Sequence, residues 1–311
     1  MKKTKAKKKS KKAPKKLRWP LGILDIGSNS VRMVLFQGPQ VHKPFFNSKI
    51  NCMLGRNLDR TGKLYAPGKD SAYHAICGFY EIAQALGVKN FTAFATEALR
   101  EASDGKKFVK KIEDALGRKI NILTGEQEGR LAAQGVTSGM SIVNGVVCDL
   151  GGGSLELALI KKGKFVRALS LPLGALRLLN HTPLLDKYIE MHLQTVPLEY
   201  SGVGPLYIIG GSFRNMAAVQ AKIQGKNGKG VNGYMLDNRA LTQLKHKTHR
   251  LSLNSLMATY DMGPDRAETL PHTIALAQQL MQKLRADKMI VSTNGIREGV
   301  LADLKQHGRL K

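Results

Sequence analysis

The chain has 311 residues, enough for one large domain or two medium ones, and 42% of them are hydrophobic, enough for a substantial core. No apolar run is long enough to cross a bilayer, and no apolar segment follows the N-terminal charges closely enough to make a secretory signal. The 49 Lys and Arg against 23 Asp and Glu give a net charge of +26, which points to polyanions, while three scattered cysteines (Cys52, Cys77, Cys148) argue against a disulfide framework or a structural zinc and for a reducing, cytoplasmic compartment.

Ten lysines and one arginine, with no acid, fall in the first 18 residues, leaving +15 for the remainder. Such a segment cannot bury apolar surface, so residues 1–19 are expected to form a disordered basic tail. It is either a solvated arm making non-specific nucleic-acid contacts or an arm that attracts a particular polyanion. Residues 21–36 read as two strands joined at a glycine-serine break. A helix follows over 71–87, with Ala72, Ala75, Ile76, Phe79, Ala83 and Leu86 on one face and Gly87 as its stop. Residues 91–96 read as a strand, 108–117 as a helix ending at Gly117, "INIL" as a short strand, and "EQEGRLAAQGV" as a further helix. Three strands are expected between 145 and 171, the last two joined by the turn "KKGK". "LYIIGGSFRNMAAVQ" reads as strand, glycine turn and helix, and 225–233 as a flexible basic loop. The C-terminal third is mostly helical until "MIVSTNGIREGVLADL", again strand, loop and helix; Ile274, Leu280 and Met281 are core positions, and His246 and His249, in a run of lysines, are surface residues. Strands alternating with helices define an α/β class.

Set without a gap above "DLGGGSLELALI" from Asp149, "DIGSNSVRMVLF" from Asp25 repeats Asp, Gly and Ser at the same places, offset by 124 residues. The pattern implies a duplication, two domains each opening with the same hairpin. A tight Gly/Ser turn gathers backbone N–H groups and leaves no side chain in the way, which suits phosphate. Ser28, Asn29 and Ser30 add side-chain donors to the first copy, and Gly151, Gly152, Gly153 and Ser154 form the second. A third turn, Gly210-Gly211-Ser212, opens a helix whose N-terminus also favours an anion. Asp25 and Asp149 stand where strands meet turns, and either can help to hold a hard cation such as Mg²⁺. At matched positions the copies carry Arg32, a phosphate fork, and Glu156, able to orient water or metal; Arg100 is a second candidate clamp.

"LDIGSNSVRMVLF", "ATEALREA", "GEQEGRLAAQGV", "CDLGGGSLELALI", "LPLGALRL", "IIGGSFRNMA", "DRAETLPHTIAL" and "NGIREGVL" occur in the order found in the exopolyphosphatase and guanosine pentaphosphate phosphohydrolase family, which the chain resembles over about residues 21–306. The resemblance implies two ribonuclease-H-like domains around a central cleft, as in the acetate and sugar kinase, Hsp70 and actin superfamily. The expected division is 20–127 with about 297–311, and 128–296. It implies hydrolysis of terminal phosphoanhydride bonds, releasing orthophosphate from polyphosphate or the 5′ γ-phosphate from pppGpp, with Mg²⁺ (or Mn²⁺) as cofactor. Glu128 is placed as general base, with Glu126 as the alternative. Asp149 and Glu156 would complete the catalytic set, and Asp149, Asp25 and Glu156 would be the metal ligands. Ser28, Asn29, Ser30, Arg32, Arg100, Gly151, Gly152, Gly153, Ser154, Gly211, Ser212 and Arg214 would line the phosphate path.

The chain lacks a His-Asp dipeptide and is expected to group with the short two-domain forms, as a homodimer away from membranes. Pro271-His272 stands where the family more usually has a small residue or glycine, in what reads as a loop. Two other readings compete with the hydrolase: a kinase-like phosphotransferase, and a polyanion-binding module that works through the lysine tail.

Overall fold

The computed structural model describes residues 17–38 and 44–310, so the expected tail lies outside the described residues through residue 16; its last residues, 17–19, are corrected, since Leu17 bridges to Leu310 and Leu17 and Trp19 pack beside Val300 and Leu304 of the C-terminal helix. Two mixed sheets carry the architecture. The first is built from β1 (Leu21–Ile26), β2 (Ser30–Phe36), β3 (Phe46–Asn51), β4 (Asn90–Ala95) and β5 (Asn121–Ile122), in the order β3-β2-β1-β4-β5. The second contains β6 (Gly145–Leu150), β7 (Leu155–Lys161), β8 (Lys164–Leu171), β9 (Leu206–Ile209), β10 (Met235–Asp237) and β11 (Lys288–Val291), in the order β8-β7-β6-β9-β11-β10. Apart from β10, added antiparallel at one edge, the sheets share one topology: an antiparallel three-strand meander extended by two parallel strands. The duplication legible at Asp25 and Asp149 therefore extends across both domains.

Both faces of each sheet are covered, which explains why the strand sequences run almost continuously apolar. Leu24, Ile26, Met33 and Leu35 face the helices Ala66–Ala85 and Gly105–Leu116, whereas Leu21, Ile23, Val34 and Phe36 face the C-terminal helix Ile296–Gln306. In the second sheet Val146, Cys148, Leu155 and Leu157 join the larger core with Phe213, Met216, Leu280 and Met281. Val147, Ala158 and Ile160 pack on Ala132, Ala133 and Val136 of the helix Gly125–Gly139. Helices Gly125–Gly139 and Ile296–Gln306 thus lie between the sheets and against each other, tied by Arg130 to Asp303 at 2.7 Å.

Local chemistry accounts for the element ends. Thr124 and Gln127 form a reciprocal capping box at the start of Gly125–Gly139. Lys162 and Gly163 both have positive φ, the requirement of a two-residue hairpin of the primed type, at the turn read as "KKGK". Several expectations are corrected. Leu86 is the C-cap of its helix and 49% exposed, not part of the buried face. β3 was not anticipated: its sequence, FNSKIN, is mostly polar because it is an edge strand. Pro271 and His272 sit inside the helix Pro264–Leu284 and not in a loop, with His272 Nε2 2.9 Å from Thr182 Oγ1. His246 and His249 are on the surface.

Candidate active site

The two hairpins have the same geometry. Asp25 is cross-strand from Arg32 as Asp149 is from Glu156, and the Gly27 and Gly151 N–H groups donate to the Ser30 and Ser154 carbonyls at 2.9 and 3.0 Å. They meet across the gap between the sheets, close enough that a Cβ on Gly152 would lie 3.0 Å from the Asn29 backbone nitrogen. Around them is a cavity of about 210 Å³ lined by Asp25, Gly27, Ser28, Asn29, Ser30, Arg32, Gly151, Gly152, Ser154, Gly211, Ser212 and Arg214, with Glu128, Asp149 and Glu156. The turn at Gly210 has φ 98°, open to glycine alone without strain, and it aims the N-terminus of helix Gly211–Ile223 at the same space.

Three of the residues expected on the phosphate path have other work. The Ser28 hydroxyl is buried and committed, donating to Glu97 at 2.8 Å and accepting from the Ala98 N–H at 3.2 Å, so it has no proton left for a ligand. Gly153 is not among the cavity-lining residues; a Cβ there would collide with the Glu97 carboxylate. Arg100 does not line the cavity either, and donates instead to the Leu123 carbonyl at 2.6 Å and to the Glu128 carboxylate.

The cavity also contains residues for which sequence reasoning assigned no role. Arg297 pairs with Asp25 at 2.7 Å. Arg266 donates to the Ser212 hydroxyl at 3.1 Å, and Lys49 enters from β3. Arg266 and Arg297 lie within the motifs "DRAETLPHTIAL" and "NGIREGVL", and Arg297 opens the segment expected to rejoin the first domain, so the signal is present; what the sequence lacks is the contacts that aim the two guanidinium groups, at Ser212 and at Asp25. Burial, then Arg297 and Arg214, pushes the Arg32 guanidinium down to about 10, the mark of cations held together without enough counter-charge. Lys49 is lowered too, by burial and then by Arg266, Arg32 and Arg214.

The same cavity is lined by buried carboxylates. Burial, reinforced by Glu156, raises Glu128 well above the ordinary glutamate value against the pull of Arg100. Glu156, which accepts from Ser170 Oγ at 2.7 Å, is pushed up to about 8 by burial and by Asp149. Asp149 is raised to about 6 by burial and by Asp25. Glu126, by contrast, is exposed on the outer side of its helix.

A family model described as the Ppx/GppA phosphatase family matches residues 33–307. The chain belongs to the Ppx/GppA phosphatase family. Exopolyphosphatase 1 of Mycobacterium tuberculosis is 26% identical over 299 residues, covering 90% of this chain and 87% of that protein. The guanosine-5′-triphosphate,3′-diphosphate pyrophosphatase of Pseudoalteromonas translucida is 24% identical over 300 residues, covering 90% of this chain but 58% of that protein. The fold agrees with that of solved Ppx/GppA proteins. An exopolyphosphatase structure from Cytophaga hutchinsonii superposes with a TM-score of 0.82 at 20% identity, covering 94% of this chain and 98% of that one. The Aquifex aeolicus family member gives 0.77 at 22% identity, over 93% and 98%.

The donor set of this Ppx/GppA site is compatible with a hard divalent cation. Asp149 and Glu156 stay raised by burial and by neighbouring carboxylates despite the nearby Arg214, Arg297 and Arg100, a setting that a further positive charge would relieve, and Asn29 Oδ1 is a buried oxygen with no hydrogen-bond partner. Among the described residues no group of three or more His, Cys, Asp or Glu forms a complete cage. That is the usual situation for Mg²⁺, which keeps waters and takes substrate oxygens. Asp25, expected among the ligands, is engaged by Arg297, which leaves Asp149 and Glu156.

Proposed function

We propose that this Ppx/GppA protein is an exopolyphosphatase that hydrolyses the terminal phosphoanhydride bond of inorganic polyphosphate and releases orthophosphate. The observation that carries the reading is the pair of matched hairpins opposed across one cavity that is lined by both buried carboxylates and a cluster of cations. Phosphoryl transfer needs positioning and charge stabilisation more than covalent chemistry from the protein. The cavity-lining amides of Asn29 and Gly152, at the tips of the two hairpins, would hold the terminal phosphoryl, while Arg32, Arg214, Arg266 and Lys49 would take the oxygens of the following units. Glu128, ionised, would accept a proton from the attacking water. Asp149 and Glu156 would hold Mg²⁺, or Mn²⁺ in its place, which when bound supplies charge neutralisation at the phosphoryl oxygens.

Hydrolysis of pppGpp at the same site is the second reading, suggested by the names of some relatives. The cavity favours polyphosphate. None of its lining residues, among the described residues, is Phe, Tyr, Trp or His, so no ring is offered for a base to stack on. Its volume of about 210 Å³ is below the roughly 300–1,000 Å³ usual for pockets enclosing larger organic ligands. Arg266 covers the turn at Gly211, where a Cβ would already strike its guanidinium.

The same reading takes the enzyme as cytoplasmic and homodimeric, with polyanion contact through the lysine tail. No helix among the described residues is long and apolar enough to cross a membrane. The test is phosphate release from polyphosphates of defined length and from pppGpp, with and without Mg²⁺, alongside light scattering for the oligomeric state. Mg²⁺-dependent release that is faster from polyphosphate is expected; faster release from pppGpp would reverse the order of the two substrates.

A further inference from the structure

Each phosphate hairpin is braced by its own short helix. On the first domain, helix Glu97–Glu101 follows β4 and holds the hairpin through Ser28, which donates to Glu97 at 2.8 Å and accepts from Ala98 N–H at 3.2 Å. On the second, helix Ala175–Leu179 follows β8 and is bonded directly to the hairpin backbone. The Ala175 and Leu176 N–H groups donate to the Gly151 and Gly152 carbonyls at 3.0 and 2.8 Å.

The two braces are joined across the domain boundary. Arg177, whose side chain is 14% exposed, donates to the buried carboxylate of Glu97 and to Glu101 at 2.8 Å. Gly153 packs directly over the Glu97 carboxylate. One buried glutamate is therefore bonded to the first hairpin, in contact with the second, and paired with the helix that carries the second. Just after the second brace, the chain makes further contacts with another short helix, Leu58–Thr61: Asn180 Nδ2 donates to Asp59 at 2.7 Å, and His181 lies 3.3 Å from it.

We infer that Glu97 and Arg177 are positioning residues for phosphoryl hydrolysis: their ion pair sets the spacing between the Ser28 and Gly151–Ser154 hairpins, and so the width of the clamp on the terminal phosphoryl. Neither side chain lines the cavity, so the pair acts through the hairpins and not on substrate. A phosphoryl held from two domains is in register only while those domains keep their distance, and a shift of about 1 Å can cost on the order of 10²-fold in rate. A pair of opposite charges also has the directionality to fix that distance, which apolar contact lacks.

The inference rests on the phosphate-clamp reading, and two measurements separate its failure from the failure of that reading. The first is amide hydrogen exchange on the unliganded full chain. Arg177→Met lies in the second domain, yet it should raise exchange at Ser28–Ser30 in the first as well as at Gly151–Ser154, with the amides of β1 and β6 unchanged. The second is steady-state phosphate release from a polyphosphate of defined length. Here Glu97→Gln and Arg177→Met should each lower kcat about 10²-fold while changing KM less than about threefold. Arg177→Lys should recover part of the loss, and the double variant should be no slower than the worse single variant. That double variant orphans neither partner of the pair, so it keeps the test open should a single variant fail to fold. Exchange that rises only in the mutated domain, or kcat effects that add independently, would overturn the inference. If the wild-type chain releases no phosphate but exchange is coupled across the boundary, the clamp geometry stands and the assigned substrate falls.

Discussion

Arg100 reaches from the end of helix Glu97–Glu101 to Glu128, the fourth residue of helix Gly125–Gly139. The guanidinium is shared with the Leu123 carbonyl at 2.6 Å, so its orientation is fixed from the first domain. Glu128 itself is 5% exposed, buried against Glu156 among the carboxylates of the cavity. The arginine thus partly offsets the burial and the like-charged neighbour that push the Glu128 carboxyl up. Replacing Glu128 with Gln preserves the shape and a hydrogen-bonding oxygen while abolishing basicity. Turnover on polyphosphate should fall roughly 10²–10⁴-fold with KM nearly unchanged. Steady-state kinetics checks it; near-normal turnover would move the base elsewhere.

The same pair sets the acid side of the pH profile. Glu128 acts as a base only when ionised, and its pKa is raised, first by burial and then by Glu156. The acid limb of kcat/KM should therefore lie above the ordinary glutamate range, activity rising with pH through it. Arg100 lowers the Glu128 pKa, so Arg100→Met should move that limb to higher pH. Glu156 raises it, so Glu156→Gln, though slow, should move the limb of its residual activity to lower pH. Profiles of kcat/KM on the free enzyme read both directions, and identical limbs in all three proteins would exclude Glu128 as the titrating group.

The sequence made the hairpins legible because their chemistry is local. Asp, Gly and Ser within six residues specify strand, turn and anion cradle together, and a copy 124 residues on supplied an internal control. Asp149 and Glu156 are legible from the repeat and Glu128 through the resemblance, and the structure brings all three to one cavity. Arg297 escaped because its contact with Asp25 spans 272 residues of sequence. Glu97 escaped because a buried glutamate in "ATEALREA" reads as a helix-surface charge until the Ser28 hydroxyl and Gly153 are seen against it. Arg100 is assigned to phosphate by its charge and by the resemblance, and only the fold reveals its bonds to Leu123 and Glu128. β3 and β10 were missed since edge strands need only one apolar side and carry polar residues freely.

The lysine tail separates a catalytic cleft from a polyanion-binding arm. Deleting residues 2–16 removes ten lysines and none of the cavity residues. Phosphate release should survive with kcat within about threefold. Affinity for long polyphosphate should become less salt-dependent, the slope of log K against log salt flattening by roughly 0.7 for each phosphate that the tail no longer neutralises. Binding titrations at several salt concentrations and a parallel activity assay make the comparison. Loss of phosphate release on deletion would count against the cleft as the seat of activity.

The two helices between the sheets supply a stability test. Gly135 lies where helix Gly125–Gly139 crosses the start of Ile296–Gln306; a Cβ there would collide with the Gly295 carbonyl and sit 3.0 Å from the Gly299 nitrogen. In an open helix, Gly→Ala is stabilising by roughly 0.5–1 kcal/mol. Gly78, with nothing within 4 Å of its virtual Cβ, is such a position, and Gly78→Ala should raise the unfolding midpoint. Gly135→Ala carries the same intrinsic gain but must push two backbones apart, an overpacking cost of about 1–3 kcal/mol that outweighs it. Its midpoint should fall in denaturant titration. The first helix carries Glu128 and the second carries Arg297, so activity should fall alongside stability in Gly135→Ala and stay level in Gly78→Ala. A Gly135→Ala protein as stable and active as wild type would mean that the helices are less closely apposed than the backbone contact at Gly295 requires.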